Sequence, residues 1–430
     1  MLDLKFIREN PEIVKAAIGN RNMRISIDEL LALDKQKREL LTEVEELKRQ
    51  RNLASDEMAK LIAKKEDVSE KRTTLKELSQ KIKEFDAKVG DVNQKVSDIV
   101  INVPNIPHKS VPIGKDAAAN IEIKKWGEIC SFDFTPKDHI ALSEHLDIID
   151  FARAAKLTGS NFVLFKGVGA RMERALINFM LGLHTQKHGY TEISPPLLVN
   201  RASMTGTGQL PKLEEDMYRA CEDDLFLIPT AEVPVTNIHR DEVLNDGELP
   251  IYYTAYTPCF RREAGSYGKD TRGLMRVHQF DKVEMVKFVK PQDSYNELET
   301  LLTNAETVLQ LLKLPYRVLC LSTGDISFAA AKCYDIEAWA PGVGKWLEVS
   351  SCSNFEDFQA RRANIKYKDS ATGKTNFVHT LNGSGVALAR TVIAIMETYQ
   401  QKDGSIIVPE VLRPYMDGRE LIEPNQRKEE

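Results

Sequence analysis

Residues 260–284 read FRREAGSYGKDTRGLMRVHQFDKVE, two apolar-alternating flanks around a charged, glycine-bearing middle. That is the pattern of a hairpin, and it carries Arg261, Glu263, Arg272, Arg276, Phe280 and Glu284. Residues two apart in a strand share a face, so the spacing predicts that Arg261 and Glu263 project together, as do Phe280, Lys282 and Glu284 on the return strand. A guanidinium fork suits phosphate oxygens, a carboxylate accepts from an exocyclic amine, and a phenyl ring offers a base a flat face. The set fits ATP. Alone, an R-x-E pair signifies only a charged hairpin tip; here it has company.

The segment resembles motif 2 of the class II aminoacyl-tRNA synthetases, and the succession TRG, HQF and E over 271–284 is similar to that of the seryl-tRNA synthetases in particular. Arg262 fills the variable position between Arg261 and Glu263. Further along, Glu348-Val349-Ser350-Ser351 follows an apolar strand, and Asn382-Gly383-Ser384-Gly385 precedes a predicted helix over 386–399 that carries Arg390. Glycines let backbone approach a ligand and a helix start faces negative charge, although such a start is more often a plain turn. The wording GSGVALAR resembles class II motif 3, whose arginine grips the γ-phosphate. Thr230-Ala231-Glu232, after a predicted strand over 225–228, reads by itself as a helix start with Thr as cap and Glu in the first turn. In seryl-tRNA synthetases a TAE loop lines the serine pocket.

The resemblance implies an α+β fold, a class II catalytic domain on an antiparallel sheet, preceded by a long antiparallel helical-hairpin arm. It implies Arg261 and Arg390 as catalytic residues, and L-serine held by Thr230, Ala231, Glu232, Glu284, Asn382 and Ser384. ATP is implied at Arg261, Arg262, Glu263, Arg276, Val277, Phe280, Glu348, Val349, Ser350, Ser351 and Arg390, with Mg2+ on Glu348 and Ser351 and no zinc. In that scheme Arg261 bridges the serine carboxylate and the α-phosphate, Arg276 and Arg390 meet the outer phosphates, Phe280 stacks on adenine and Glu263 takes its amine. Serine would first be activated to seryl-adenylate and then transferred to tRNA(Ser), and to tRNA(Sec) as well. The partners implied are tRNA, L-serine and a second copy in a homodimer.

Between residues 28 and 103 the chain changes character. Leu30, Leu33, Lys37, Leu40, Val44, Leu47, Arg51, Ala54, Met58 and Leu61 recur at steps of three and four, and the step returns from Leu75 to Ile99. This is a heptad seam written twice, with a break at 64–69, so two helices of roughly 50–60 Å at ~1.5 Å per residue are expected to fold back on each other. Pro104 and Pro107 end the pattern. A dimerisation coiled coil has the same periodicity; Lys37 and Arg51 inside the seam, with recurrent basic clusters, favour an arm that touches a partner. In seryl-tRNA synthetases such an arm binds the tRNA's long variable arm. The expected division is therefore 1–108 as a tRNA-binding domain and 109–430 as the catalytic domain.

From about Ile113 onward, a predicted helix over 175–188 precedes a proline-closed strand over 190–196 that resembles motif 1, the dimer-interface element. Strands are predicted over 225–228, 252–260, 276–288, 316–320, 333–339 and 345–350, and the scarcity of βαβ alternation favours an antiparallel sheet. Gly373-Lys374-Thr375 imitates the end of a P-loop, but Lys368 stands where its first glycine belongs, which rules the motif out. His184 and His188 lie four apart, yet no companion completes a metal site, so they read as core or interface residues.

Composition sets the outer bounds. At 430 residues with a net charge of −5, the chain exceeds one ordinary domain and does not advertise a nucleic-acid binder, though a local basic stripe is enough for one. No apolar run approaches a membrane span of ~20 residues. Six scattered cysteines without a C-x-x-C suit a reducing compartment, and with no signal or transit pattern at the N-terminus the expected setting is the cytoplasm. Two other readings stay open: an RNA-binding or scaffolding protein on an inactive synthetase fold, and an amino acid:carrier-protein ligase, which should lack the arm.

Overall fold

The computed structural model describes residues 1–264 and 272–424. Residues 265–271, including Thr271 of the TRG stretch, lie outside the described residues, as do 425–430. The chain falls into two compact units, Leu2–Pro104 and, with Met1, Asn105–Glu430.

The first unit is dominated by α1 (Ile27–Ala63) and α2 (Ser69–Val100), of 37 and 32 residues. Ser26 caps α1 by accepting from the Glu29 amide, and Asp28 and Glu29 put negative charge in its first turn, where the helix dipole favours it. The pairs Lys37–Asn93 (2.6 Å), Lys48–Asp86 (3.4 Å) and Lys71–Glu57 (2.5 Å) run in opposite numerical order along the two helices, which makes them antiparallel. Leu30, Val44 and Ala54 are buried from one side of the seam and Ile82, Val92 and Val96 from the other. A two-helix pair covers only one stripe of each partner, so other seam positions such as Phe85 and Val89 stay half-buried. Lys37, read from the sequence as an interruption aimed at a partner, spends its ammonium across the pair on Asn93.

The second unit is built on eight strands: β1 (Ile121–Trp126), β2 (Thr191–Glu192), β3 (Ile251–Phe260), β4 (Gln279–Val289), β5 (Tyr316–Cys320), β6 (Lys332–Ala340), β7 (Lys345–Asn354) and β8 (His379–Ala387). They lie in the order β1-β5-β6-β7-β8-β4-β3-β2, every neighbouring pair antiparallel except the short β2 beside β3. The α+β class and antiparallel sheet expected from the sequence are therefore present.

Alternation along β4 sorts its side chains. Val283 and Met285 join the main core, while Phe280, Lys282 and Glu284 face the other way into a cavity. Farther along that second face, Val286 and Phe288 are covered by a smaller cluster that includes Ala231 and Val235. Three helices back the core face: α3 (Val168–Gln186), α4 (Ser294–Leu311) and α5 (Leu388–Thr398).

Three local expectations are corrected. Helix α3 begins seven residues before the predicted 175. Gly169 in its first turn weakened the helical signal, and glycine is required there because a Cβ would stand 2.4 Å from the Ile148 carbonyl oxygen. The NGSG stretch is no helix-opening loop but the middle of β8. Its glycines make room for what packs behind: a Cβ at Gly383 would meet Cys352 Sγ at 2.8 Å, and one at Gly385 would meet His184 Nε2 at 2.6 Å. Likewise Glu348–Ser351 does not follow a strand but lies inside β7, which covers the predicted 345–350 and runs on to Asn354.

Candidate active site

The front face of the sheet carries a cavity of about 650 Å³. Strand β4 supplies its axis, with Phe280, Lys282 and Glu284 spaced two apart on one face, so that the backbone positions of Phe280 and Glu284 are roughly 13 Å apart along the strand with that of Lys282 between them. Beside it, β8 contributes Asn382 and Ser384, again by alternation, since Leu381 belongs to the core and Gly383 and Gly385 pack against residues behind the sheet.

At one end of the cavity, hydrogen bonds converge on a single carboxylate oxygen. Glu284 Oε2 lies 2.5 Å from Lys282 Nζ, and the Thr230 and Ser384 hydroxyls donate to it at 3.4 and 3.5 Å. A second carboxylate stands nearby on Glu232. Burial, and then the Glu284 charge, push its pKa up to about 7. Gln359 donates Nε2 to Glu232 Oε1 at 2.7 Å and to the Thr207 carbonyl at 3.2 Å, while its own Oε1 accepts from Thr380, so the amide is locked in one orientation. Asn382 stands near enough to favour the ionised Glu232, yet its buried Nδ2 makes no hydrogen bond of normal geometry. A buried donor left over beside two carboxylates and two hydroxyls suits a small ligand carrying both a cation and polar groups.

At the other end, Arg261 places its guanidinium carbon 5.1 Å from the Phe280 ring centre and donates to the Pro229 carbonyl at 3.3 Å. Strand β3 ends at Phe260, so the expectation that Arg261 and Glu263 share a face by strand alternation fails. Both reach the cavity from a loop in which Glu263 adopts a left-handed backbone (φ 50°). Glu263 and Arg276 form an ion pair at 2.9 Å, and Val277 lines the wall beside them. Arg390, in the first turn of α5, is tethered by the Glu348 carbonyl (2.8 Å) and the Met275 carbonyl (3.3 Å), with the Glu348 carboxylate at 3.4 Å.

Glu348 and Ser351 are three apart in a strand and would normally face opposite ways. The pairing steps from Ile336–Ser350 to Glu337–Glu348, leaving Val349 as a bulge, and the extra residue brings both side chains to the cavity. Ser350 turns inward and donates to the Ser384 carbonyl at 2.7 Å. Asp335 lies on the same face as Ser351; burial foremost, then the Glu348 charge, raise its carboxyl well above the ordinary range.

Of the residues singled out from the sequence, Arg262 is exposed and absent from the cavity wall, its amide donating to the Asp216 carbonyl at 2.9 Å. Ala231 is fully buried in the cluster beneath, so any contribution it makes is through backbone. Arg272, named with the hairpin set, is also exposed and absent from the wall, whereas every other residue expected to hold serine, ATP or Mg2+ lines the cavity. Sequence reasoning put Lys282 on the right face without giving it a role, and it missed Gln359, whose contact with Glu232 spans 127 positions. His184 and His188 hydrogen-bond to each other at 2.9 Å, and no group of three or more metal-binding side chains occurs among the described residues. Gly373 and Lys374 form the turn of a small hairpin between Lys366–Lys368 and Thr375–Phe377.

Comparison with known proteins identifies relatives of the whole chain. A family described as the tRNA synthetase class II core domain (G, H, P, S and T) matches residues 213–399, and one described as the seryl-tRNA synthetase N-terminal domain matches residues 1–107. A serine--tRNA ligase of Thermodesulfovibrio yellowstonii is 57% identical over 419 residues, covering 97% of this chain and 99% of that one. That of Bacillus subtilis is 58% identical over 425 residues, covering 99% and 100%. Among solved structures, the seryl-tRNA synthetase of Pyrococcus horikoshii complexed with ATP superposes with a TM-score of 0.92 at 39% identity, covering 99% of this chain and all of that one.

Proposed function

The chain belongs to the seryl-tRNA synthetase family, and on that premise we propose that its cavity performs both steps of serine ligation. It is a serine--tRNA ligase of class II, using ATP, L-serine and tRNA(Ser). One observation carries the residue-level reading: a ring suited to a base, a central cation and a hydroxyl-lined carboxylate stand in line on β4, with Arg261 and Arg390 lining the same cavity.

In that reading adenine stacks on Phe280 and its amine meets Glu263, so the ion pair with Arg276 opens when ATP enters and Arg276 turns to phosphate. Serine's ammonium sits between Glu232 and Glu284, and its hydroxyl meets Glu284, Thr230 and Ser384. A serine carboxylate oxygen bonds to the α-phosphorus while the bond to the pyrophosphate oxygen breaks, its electron pair leaving with pyrophosphate. The terminal ribose hydroxyl of the tRNA then attacks the activated carbonyl and AMP departs. No protein nucleophile is needed; fixed guanidinium groups meet the charge that develops at phosphorus.

Mg2+ accompanies ATP in this reading. The bulge at Val349 aims one carboxylate and one hydroxyl at the cavity beside Arg390, a sparse hard-oxygen set suited to a cation that keeps waters and takes phosphate oxygens as ligands. When bound it would neutralise phosphate charge, held by Glu348 and Ser351. The same reading takes the arm at residues 28–103 as the tRNA-binding element and extends charging to tRNA(Sec). It also assigns a homodimer, with the exposed sheet-edge strand β2 in support, and a cytoplasmic setting, supported by six free cysteines. No helix among the described residues is long and apolar enough to cross a membrane.

Serine-dependent ATP–pyrophosphate exchange tests the assignment. Alanine would leave Glu284 and two hydroxyls without their partner, a penalty on the order of 10⁴-fold in sites built around a hydroxyl. Equal exchange with alanine and serine would refute the serine pocket.

A further inference from the structure

We propose that Lys282 is a catalytic residue of the activation step: its ammonium, parked on Glu284 while the cavity is empty, moves to the serine carboxylate and the α-phosphate once the serine ammonium takes its place. The proposal deepens the serine-activation reading and rests on it.

Position is the first ground. Lys282 lies midway between Phe280 and Glu284 on one strand face, about 6–7 Å from each along the strand axis. The base platform and the amino-acid carboxylate mark the two ends of the adenylate, so the bond being made falls between them, over Lys282. A lysine side chain is long and jointed enough to swing its ammonium by a few ångströms without moving the strand.

Charge is the second ground. Two carboxylates, Glu232 and Glu284, border the serine end, and Lys282 is the cation that contacts one of them, its side chain 8% exposed. Bringing in the serine ammonium adds a second cation for those two carboxylates. Glu284 Oε2, already approached by Lys282, Thr230 and Ser384, then has more donors than one oxygen serves well, and the lysine is the mobile one. The serine carboxylate and the α-phosphate arrive together as uncompensated anions beside it. With Lys282 and Arg261 against them, and the ammonium against Glu232 and Glu284, each anion next to the reacting atoms has a cation. The ammonium keeps all its protons throughout; it stabilises charge and accepts nothing. Burying a lysine has a desolvation cost that packing alone would avoid with a leucine or methionine, and a task at the reaction centre explains why the cation is there.

The test compares wild type with Lys282→Met and Lys282→Arg in serine-dependent pyrophosphate exchange, with ATP binding and thermal melting measured in parallel. Wild type must exchange with serine, which checks the underlying reading separately. Loss of a preorganised donor at a transition state lowers kcat by about 10²–10³-fold, and that is the fall expected for Lys282→Met, with the KM for ATP changed only a few-fold. Lys282→Arg keeps a cation on Glu284 and the fold but displaces the charge, and at least a ~10-fold fall in kcat is expected from it. Ethylammonium added to Lys282→Ala should restore part of the rate in a saturable manner, while leaving wild type unaffected. A kcat preserved in both Lys282→Met and Lys282→Arg, with only the KM for serine raised, would show that the lysine merely balances Glu284 and would overturn the proposal. If Lys282→Met does not fold, Lys282→Arg and the amine rescue decide: a preserved kcat in the first, or no rescue in the second, overturns it.

Discussion

Glu232→Gln separates what a buried carboxylate costs the fold from what it gives the substrate. Holding the carboxyl at about 7 rather than 4.5 costs its ionised form about 3 kcal/mol at 1.36 kcal/mol per pH unit, and about 2 kcal/mol once the open cavity beside it is allowed for. The sign follows from proton counting: between these two pH values the folded chain holds a proton that the unfolded chain has lost. This group's contribution to stability is therefore complete below pH ~4.5 and is lost as pH rises through about 7. Glutamine stays neutral, and its carbonyl oxygen can still accept the Gln359 hydrogen bond that Glu232 accepts at 2.7 Å. With a melting entropy of ~2 cal/mol/K per residue, roughly 0.7 kcal/mol/K for the larger unit, the variant should melt about 3 °C above wild type at pH 8 and level with it near pH 4.5. Activation should move the other way. Losing one charge-assisted contact to the serine ammonium, worth ~1.5–3 kcal/mol, should lower kcat/KM for serine by roughly 10- to 100-fold. The wild-type profile of kcat/KM should rise with pH through about 7 and the variant should lose that limb. Calorimetry and exchange assays across pH 4.5–8.5 read both. A melting difference independent of pH, or an unchanged limb in the variant, would refute the account.

Arg390→Lys should lower pyrophosphate exchange by about 10²-fold with little change in the KM for serine, because lysine lacks the fork that reaches the Glu348 and Met275 carbonyls together. Replacing residues 28–103 by a short Gly/Ser linker should leave serine activation within about three-fold of wild type while transfer to tRNA collapses and loses its salt dependence; single-turnover transfer assays at two ionic strengths test it. Gly385→Ala should destabilise the catalytic unit by ~1–3 kcal/mol in denaturant titration, since the new Cβ would stand 2.6 Å from His184 Nε2, and His184→Ala should relieve part of that loss.

Periodicity carried much of the architecture in advance. The heptad seam specified two antiparallel helices and a break at 64–69, found at 64–68, because each helix must bury its one apolar stripe against the other and nothing distant is needed to say so. Two-residue alternation likewise set Phe280, Lys282 and Glu284 on one face, and the strands around them were legible from apolar runs between turns. Other features were decided only when distant segments met. Glycines in NGSG looked like a helix-opening loop because local sequence cannot register that Cys352 and His184 press on them from behind. Glu348 and Ser351 share a face through a bulge visible only in the pairing with β6, and Arg261 and Glu263 meet the cavity from a loop because strand β3 has already ended. Gln359 and the Glu232 carboxyl, whose pKa reaches about 7, belong to the same class. A side chain's direction is written in the local backbone period, but its neighbours, its burial and therefore its charge state come from chain segments brought together across more than a hundred residues.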